Sequence, residues 1–126
     1  MRALNIVETA YRATLEEQDD TIVWLSHAML GAGAELGVML RGNAVNYAVR
    51  AQDPSGLAFG DLRQTQPPEL AEDLAKLIAK QTQVYIVEED LAERGIAVDE
   101  LVPGLTPIAS GRVAALMDDF DQVWHW

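Results

Sequence analysis

The sequence contains no cysteine among its 126 residues. Disulfide bonds, thiolate catalysis and zinc–thiolate sites are therefore excluded. Basic residues are also scarce, because 9 Lys and Arg stand against 20 Asp and Glu and give a formal net charge of -11. Nucleic-acid phosphates and anionic lipid surfaces repel such a chain, so we expect neither a nucleic acid nor a membrane as its partner.

Long hydrophobic runs are missing as well. No apolar run approaches the roughly 18 residues of a membrane-spanning helix. The apolar stretch at 3–7 is too short for a signal peptide, so we expect a cytoplasmic protein. Hydrophobic residues still make up 49% of the chain. That share fills a real core, and the length suits one domain over residues 1–126.

Short apolar runs alternate with helical patterns along the chain. The run at 3–7 is typical of a strand buried on both faces, and the runs at 35–40 and 83–87 predict the second and third strands. Shorter strands are predicted at 105–108 and 122–126. Helices are predicted at 21–30, from Pro67-Pro68 onward, at 88–94, and after Ser110, which we expect to cap the last one. This order predicts an α/β fold with a mainly parallel sheet of about five strands and helices on both faces.

Three segments lack such patterns. The polar stretch 9–20 predicts a mobile loop. Residues 41–49 predict a loop with a short helix. The stretch 51–66 carries Pro54, Gly56 and Gly60 and predicts irregular structure.

The first predicted helix is apolar nearly all round. Asp19 and Asp20 precede it and are suited to capping its free N–H groups. Trp24 lies beside the apolar face and makes it wider than a normal stripe, which indicates burial on more than one side. We expect the second side to be a subunit contact, with Trp24 and His27 as interface candidates. For His27 the alternatives are a packed, hydrogen-bonded side chain or a proton carrier at that interface.

No cofactor or metal site is expected. The glycines at 31, 33 and 37 loosely fit a dinucleotide fingerprint, but this run ends a helix and opens a strand, which is the wrong context. The two histidines are far apart in sequence, and the chain has no cysteine, so the usual ligands of a metal site are missing.

The best candidate site lies where the predicted strands end. Open parallel sheets bind ligands beyond the carboxyl ends of their strands, and here Glu8, Arg41 and Glu88 follow three of them. Arg41 with Asn43 and Asn46 suits a carboxylate or a sulfur oxyanion. The alternative is an ion pair between Arg41 and Glu8 or Glu88.

The acidic cluster that begins at Glu88 has two interpretations. It continues with Glu89, Asp90 and Glu93. Paired carboxylates can act as general acid and base. A solvated first helical turn that complements the helix dipole gives the same pattern.

The chain resembles the DsrE/DsrF-like family, which includes the TusC and TusD sulfur-relay proteins. The features run in the family's order: an apolar first strand, a polar loop, a helix ending in Ala32-Gly33, then Leu40-Arg41-Gly42-Asn43-Ala44-Val45, Val84-Tyr85-Ile86-Val87, Leu91-Ala92-Glu93-Arg94-Gly95-Ile96 and Val123-Trp124-His125-Trp126. The resemblance covers nearly the whole chain and rests on the order and spacing of these pieces.

The resemblance implies a three-layer α/β/α fold and assembly into trimers or hexamers. It also implies a place in cytoplasmic sulfur metabolism, where active members carry sulfur as a persulfide on a cysteine. That cysteine matches Val87, give or take one residue, when counted back from Gly95. Valine and glutamate cannot form a persulfide, so this chemistry does not carry over. The resemblance thus favours a non-catalytic subunit, alone or with a cysteine-bearing paralogue, that docks a sulfur-carrier protein. The alternatives are a small-molecule or anion-binding module in the former sulfur pocket, and an enzyme that uses carboxylates or His27 there.

Overall fold

The computed structural model describes residues 1–12 and 20–126 as strands and helices in alternation. The strands are β1 (Arg2–Val7), β2 (Glu35–Leu40), β3 (Ala58–Phe59), β4 (Leu62–Arg63), β5 (Gln83–Val87), β6 (Thr106–Ile108) and β7 (Gln122–His125). The α-helices are α1 (Thr21–Gly31), α2 (Leu70–Ala79), α3 (Glu88–Glu93) and α4 (Val113–Met117). Tighter 3-10 turns cover Gly42–Ala48, Val98–Glu100 and Ser110–Arg112.

The main sheet has five strands in the order β6-β5-β2-β1-β7, and all neighbours are parallel. This confirms the predicted fold class. The central strands β1 and β2 are buried on both faces, each showing five buried residues in a row. Such continuous burial is expected when helices cover both sides of a parallel sheet.

Two apolar clusters lie on opposite faces of the sheet. The larger one packs α1 and α2 against the sheet through residues such as Val23, Leu74 and Val38. The smaller one packs Val113 of α4 and Phe120 against the other face. The second face is therefore covered by one short helix and its flanking turn.

Helix α1 begins as predicted, because Asp20 caps it. Asp20 Oδ1 accepts hydrogen bonds from the N–H groups of Ile22 (2.8 Å) and Val23 (3.2 Å). Ile22, Val23 and Ser26 are buried against the sheet, whereas Trp24 is 62% exposed. The aromatic ring thus lies on the outer side of the helix.

The prediction of wholly irregular structure at 51–66 is wrong for part of that stretch. β3 and β4 form an antiparallel hairpin, with Ala58 opposite Arg63 and Phe59 opposite Leu62. Gly60 at φ 60° supplies the two-residue turn, which is the type that needs a left-handed residue. Strands of two residues lie below the length at which alternation is visible in a sequence.

The predicted cap at Ser110 is also wrong. Its side chain caps no helix; instead its N–H donates to a carboxylate oxygen of Glu89, and α4 starts at Val113. Helix α2 begins at Leu70, beyond the two prolines.

The loop predicted at 9–20 falls largely on residues 13–19, which lie outside the described residues. Asp19 is among them. No described helix is long and apolar enough to cross a membrane.

Candidate functional site

Glu8 contacts residues at the ends of two neighbouring strands at the carboxyl edge of the sheet. It follows β1, and its two carboxylate oxygens face opposite neighbours. Oε1 lies 3.7 Å from Arg41 Nε, beyond β2, and Oε2 lies 2.7 Å from His125 Nε2 at the end of β7. Because these three strands are parallel neighbours, the three side chains converge at one edge.

The Arg41 side chain takes the ion-pair role that was the alternative to anion recognition. The guanidinium pairs with Glu8, and the Arg41 side chain as a whole is 31% exposed. Its Nε is buried but makes no hydrogen bond, since the 3.7 Å separation from Glu8 is too long for one. The pair is thus an electrostatic contact that leaves one donor of the guanidinium unused.

A second set of contacts holds the turn after β2 against α3. The Gly42 N–H donates to Asp90 Oδ2 at 2.7 Å. Arg94 donates to Asn43 Oδ1 through Nη2 (2.8 Å) and Nε (3.1 Å), and through Nη1 to the Asp90 carbonyl (3.0 Å). Asn43 therefore serves as an acceptor for Arg94 and does not complete a cradle around Arg41.

The Asn46 side chain forms its hydrogen bond within its own turn. Its Nδ2 donates to the carbonyl oxygen of Asn43 at 2.9 Å, inside the 3-10 turn Gly42–Ala48. Asn46 therefore stabilises the turn locally.

Val87 closes β5 and points into the smaller core cluster. It is 1% exposed and packs with Ile6 and Met39. The next residue, Glu88, is exposed and starts α3. Val87, which the resemblance matches to the persulfide cysteine within one residue, and its neighbour Glu88 thus differ sharply in their access to solvent.

The acidic cluster holds the fold together at two points. Asp90 accepts from the Gly42 N–H, and Glu89 accepts from the Ser110 N–H. Hydrogen bonds from the Ser110 side chain, and to a smaller extent from its N–H, lower the pKa of Glu89, as expected for a carboxylate that accepts them in its charged form. Within residues 1–12 and 20–126, His, Asp and Glu side chains do not form a group of three that could hold a metal ion.

His27 connects α1 to α2. Its Nε2 lies 3.0 Å from the Asp73 carbonyl oxygen, and its Nδ1 lies 3.3 Å from Lys80 Nζ. A lysine can only donate, so Nδ1 accepts from Lys80 and Nε2 donates to the Asp73 carbonyl oxygen. The half-buried ring thus fills a hydrogen-bonded position between two helices, while Trp24 faces outward from α1.

His125 is the site residue that sequence reasoning missed. Strand alternation places it on the face opposite Trp124 and Trp126, whose rings stack edge to face at 6.3 Å. The alternation is visible in the sequence, but only the pairing of β7 with β1 in the structure brings His125 to Glu8. Three surface cavities are lined by other parts of the chain and include none of Glu8, Arg41 or Val87.

Solved structures share the fold over the whole chain. The YchN protein from E. coli matches with a TM-score of 0.74 and 19% identity, covering 100% of both chains. MTH1491 from Methanobacterium thermoautotrophicum, described as a protein of unknown function, matches with a TM-score of 0.64 and 14% identity, covering 99% of this chain and 98% of its own.

Sequence comparison gives the family. No curated protein matches the chain. The model of the DsrE/DsrF-like family matches residues 7–125, which is nearly all of the sequence. The chain belongs to the DsrE/DsrF-like family.

Proposed function

We propose that this protein is a non-catalytic subunit of a cytoplasmic sulfur-relay assembly. It presents or docks a sulfur-carrier protein and does not itself carry sulfur. Its membership of the DsrE/DsrF-like family, which is associated with sulfur relay, supports the setting.

One observation carries the non-catalytic role. The resemblance matches the family's persulfide cysteine to Val87, give or take one residue, and Val87 is 1% exposed and belongs to the apolar core. The chain has no cysteine elsewhere. Persulfide formation requires a thiolate that solvent can reach, so neither Val87 nor any other residue replaces that chemistry.

The neighbouring polar groups support the same role. Glu8 faces Arg41 and His125, Asp90 accepts from Gly42, and Glu89 accepts from Ser110. These contacts tie the ends of β1, β2 and β7 and the start of α3 to one another. This edge of the sheet therefore acts as a structural frame.

The outer face of α1 supports assembly. Helix α1 contains no Asp, Glu, Lys or Arg, and its exposed positions are Thr21, Trp24, Ala28 and Gly31. In a chain of net charge -11, an uncharged face that shows a 62% exposed tryptophan suits a buried subunit contact. The subunits are further copies of this chain in a trimer or hexamer, or cysteine-bearing paralogues.

Sedimentation at micromolar concentration tests this assembly. We expect the wild-type chain to form an oligomer and Trp24→Glu to dissociate it, because a carboxylate would be buried in an apolar contact. Ala92→Glu adds the same charge at an exposed position of α3 and should leave the oligomer intact. A wild-type protein that stays monomeric and binds no cysteine-bearing family member contradicts the proposal.

A second candidate function is anion binding beside Arg41. The buried, unbonded Nε of Arg41 favours it, since a sulfur oxyanion could accept from it. A thermal-shift series with sulfate, sulfite and thiosulfate tests this candidate. Stabilisation that disappears in Arg41→Gln would support it, and a flat series in the wild type would eliminate it.

A further inference from the structure

The β3–β4 hairpin carries an apolar face that is exposed in the described part of the chain, residues 1–12 and 20–126. Phe59 lies directly opposite Leu62 in the register, and Leu57 precedes Phe59 by two residues. Residues two apart, and residues directly paired, share a face. These three side chains are 62%, 71% and 76% exposed for Leu57, Phe59 and Leu62.

The opposite face of the hairpin has a different character. It carries Ala58 and Arg63, which form the other cross-strand pair. The segregation of large apolar side chains to one face is the pattern of a strand pair with one buried side. An isolated two-stranded hairpin is marginally stable in water, so this one needs a surface to pack against.

A groove of about 330 Å³ elsewhere on the chain offers such a surface. Two of its lining residues, Leu101 and Val102, are buried, whereas Val98 is 63% exposed. The apolar residues that line it are Val98, Leu101, Val102, Pro103, Leu105 and Pro107.

Charge favours a second copy of the chain as the occupant. The hairpin segment 57–64 carries one acid, Asp61, and one base, Arg63, so its charge cancels. In the groove, the charged residues are Arg50 and Asp99, and Arg50 donates to the Asp99 carbonyl oxygen. Two copies of net charge -11 can therefore meet here without opposing like charges. A basic partner would instead favour the acidic run of α3.

We propose that the Leu57–Phe59–Leu62 face of one copy docks in the Val98–Pro107 groove of a second copy. Because the hairpin face and the groove are different surfaces of the same chain, their contact is head-to-tail. Such contacts close into a ring when the rotation between neighbouring subunits permits it. A stable interface buries about 800 Å² on each partner, more than three side chains supply. The hairpin contact alone is therefore too small to hold two copies together, and the outer face of α1 supplies further contact area. The inference thus rests on the proposed assembly.

Cross-linking is unusually clean here, because the chain has no cysteine of its own. Leu62→Cys and Val98→Cys are made as separate proteins, one of them tagged, mixed and treated with a short bismaleimide. We expect a tagged–untagged covalent dimer in at least about tenfold higher yield than from Ala58→Cys mixed with Val98→Cys, since Ala58 lies on the other hairpin face. Equal yields, or no dimer, overturn the proposal.

The double variant Leu62→Cys/Val98→Cys tests whether the hairpin instead folds back onto the groove of its own chain. In that case cross-linking would give only internally linked monomer. That result also overturns the proposal.

Sedimentation gives an independent test. Phe59→Ser should raise the protein concentration at which half of the chains are assembled by about tenfold or more, as expected for an aromatic anchor. Arg63→Ser should change it by less than about twofold, in line with an exposed rim charge.

Failure here is distinguishable from failure of the proposed function. A wild-type oligomer that gives no cross-link between Leu62→Cys and Val98→Cys refutes the hairpin contact and leaves the assembly standing. A wild-type chain that stays monomeric and binds no cysteine-bearing family member refutes both.

Discussion

The hydroxyl of Tyr47 donates a 2.7 Å hydrogen bond to Asp20 Oδ2, and both residues are fully buried. The other oxygen of Asp20 caps α1, while the Tyr47 hydroxyl also accepts from the Tyr11 N–H. One buried pair thus links the start of α1, the turn Gly42–Ala48 and the chain after β1. A buried carboxylate requires such partners to offset its desolvation.

Removing the Tyr47 hydroxyl should destabilise the fold. Tyr47→Phe leaves an oxygen of buried Asp20 without its donor, and we expect the free energy of unfolding to fall by about 1–3 kcal/mol. Urea denaturation measures it. Tyr85→Phe removes a hydroxyl from a half-buried tyrosine of β5 and should cost less than about 0.5 kcal/mol. Equal losses in the two variants would show that the Asp20 bond stabilises nothing.

Stability should also decline in alkali. Burial, together with the bonded and negatively charged Asp20, raises the pKa of Tyr47 well above its ordinary value. The folded state therefore holds this proton more tightly than the unfolded state. Its contribution is complete below the unfolded tyrosine pKa of about 10 and is lost as pH rises from there toward the folded value.

Urea denaturation between about pH 8 and about pH 11 measures this dependence. The wild type should lose stability more steeply above about pH 10 than Tyr47→Phe, which lacks the titrating group. Parallel curves would show that Tyr47 titrates as an ordinary tyrosine.

Cysteines placed at Val87 and at Glu88 should differ in reactivity. Val87→Cys puts a thiol in the core at a site 1% exposed, whereas Glu88→Cys puts it at an exposed helix start. Burial raises a thiol pKa and blocks access, so we expect Glu88→Cys to react at least about 100-fold faster with an aromatic disulfide reagent. In urea the two rates should become equal. Similar rates in the folded proteins would mean that Val87 is accessible, against the burial described above.

Gly42 should resist substitution more than Gly31. Gly42 has φ 55°, and a Cβ there would lie 3.0 Å from Glu8 Cγ. A left-handed residue with a Cβ costs about 1–2 kcal/mol, so Gly42→Ala should lower the free energy of unfolding by that amount. At Gly31 a Cβ meets nothing within 4 Å, and Gly31→Ala should be neutral or stabilising by up to about 1 kcal/mol. Thermal denaturation of both variants checks the difference, and an inverted order would contradict it.

The sheet could be predicted from the sequence because its strands are apolar on both faces. The run 83–87 contains Val84, Ile86 and Val87 and is β5 as expected, and Asp20 caps α1 as its position before the apolar run indicated. The hairpin was missed because Ala58–Phe59 and Leu62–Arg63 are each only two residues long. Pairing of this kind follows from the turn, not from periodicity.

The site was predictable in outline only. The rule that parallel strands end at one edge brings Glu8 and Arg41 together. The partner of each side chain depends on distances that a sequence does not contain. Asn43 is bonded to Arg94, and Glu8 reaches His125 across 117 residues of sequence. Asp90 and Arg94 are four residues apart on or beside one helix, a spacing that could have indicated their shared role.

Native mass spectrometry of the tagged protein, captured gently from its own host, tests the central claim most directly. The account predicts a multiple of this chain, or a mixed assembly that includes a cysteine-bearing family member, with no sulfur added to this chain. A mass equal to one chain, free of any partner across the micromolar range, would contradict the account.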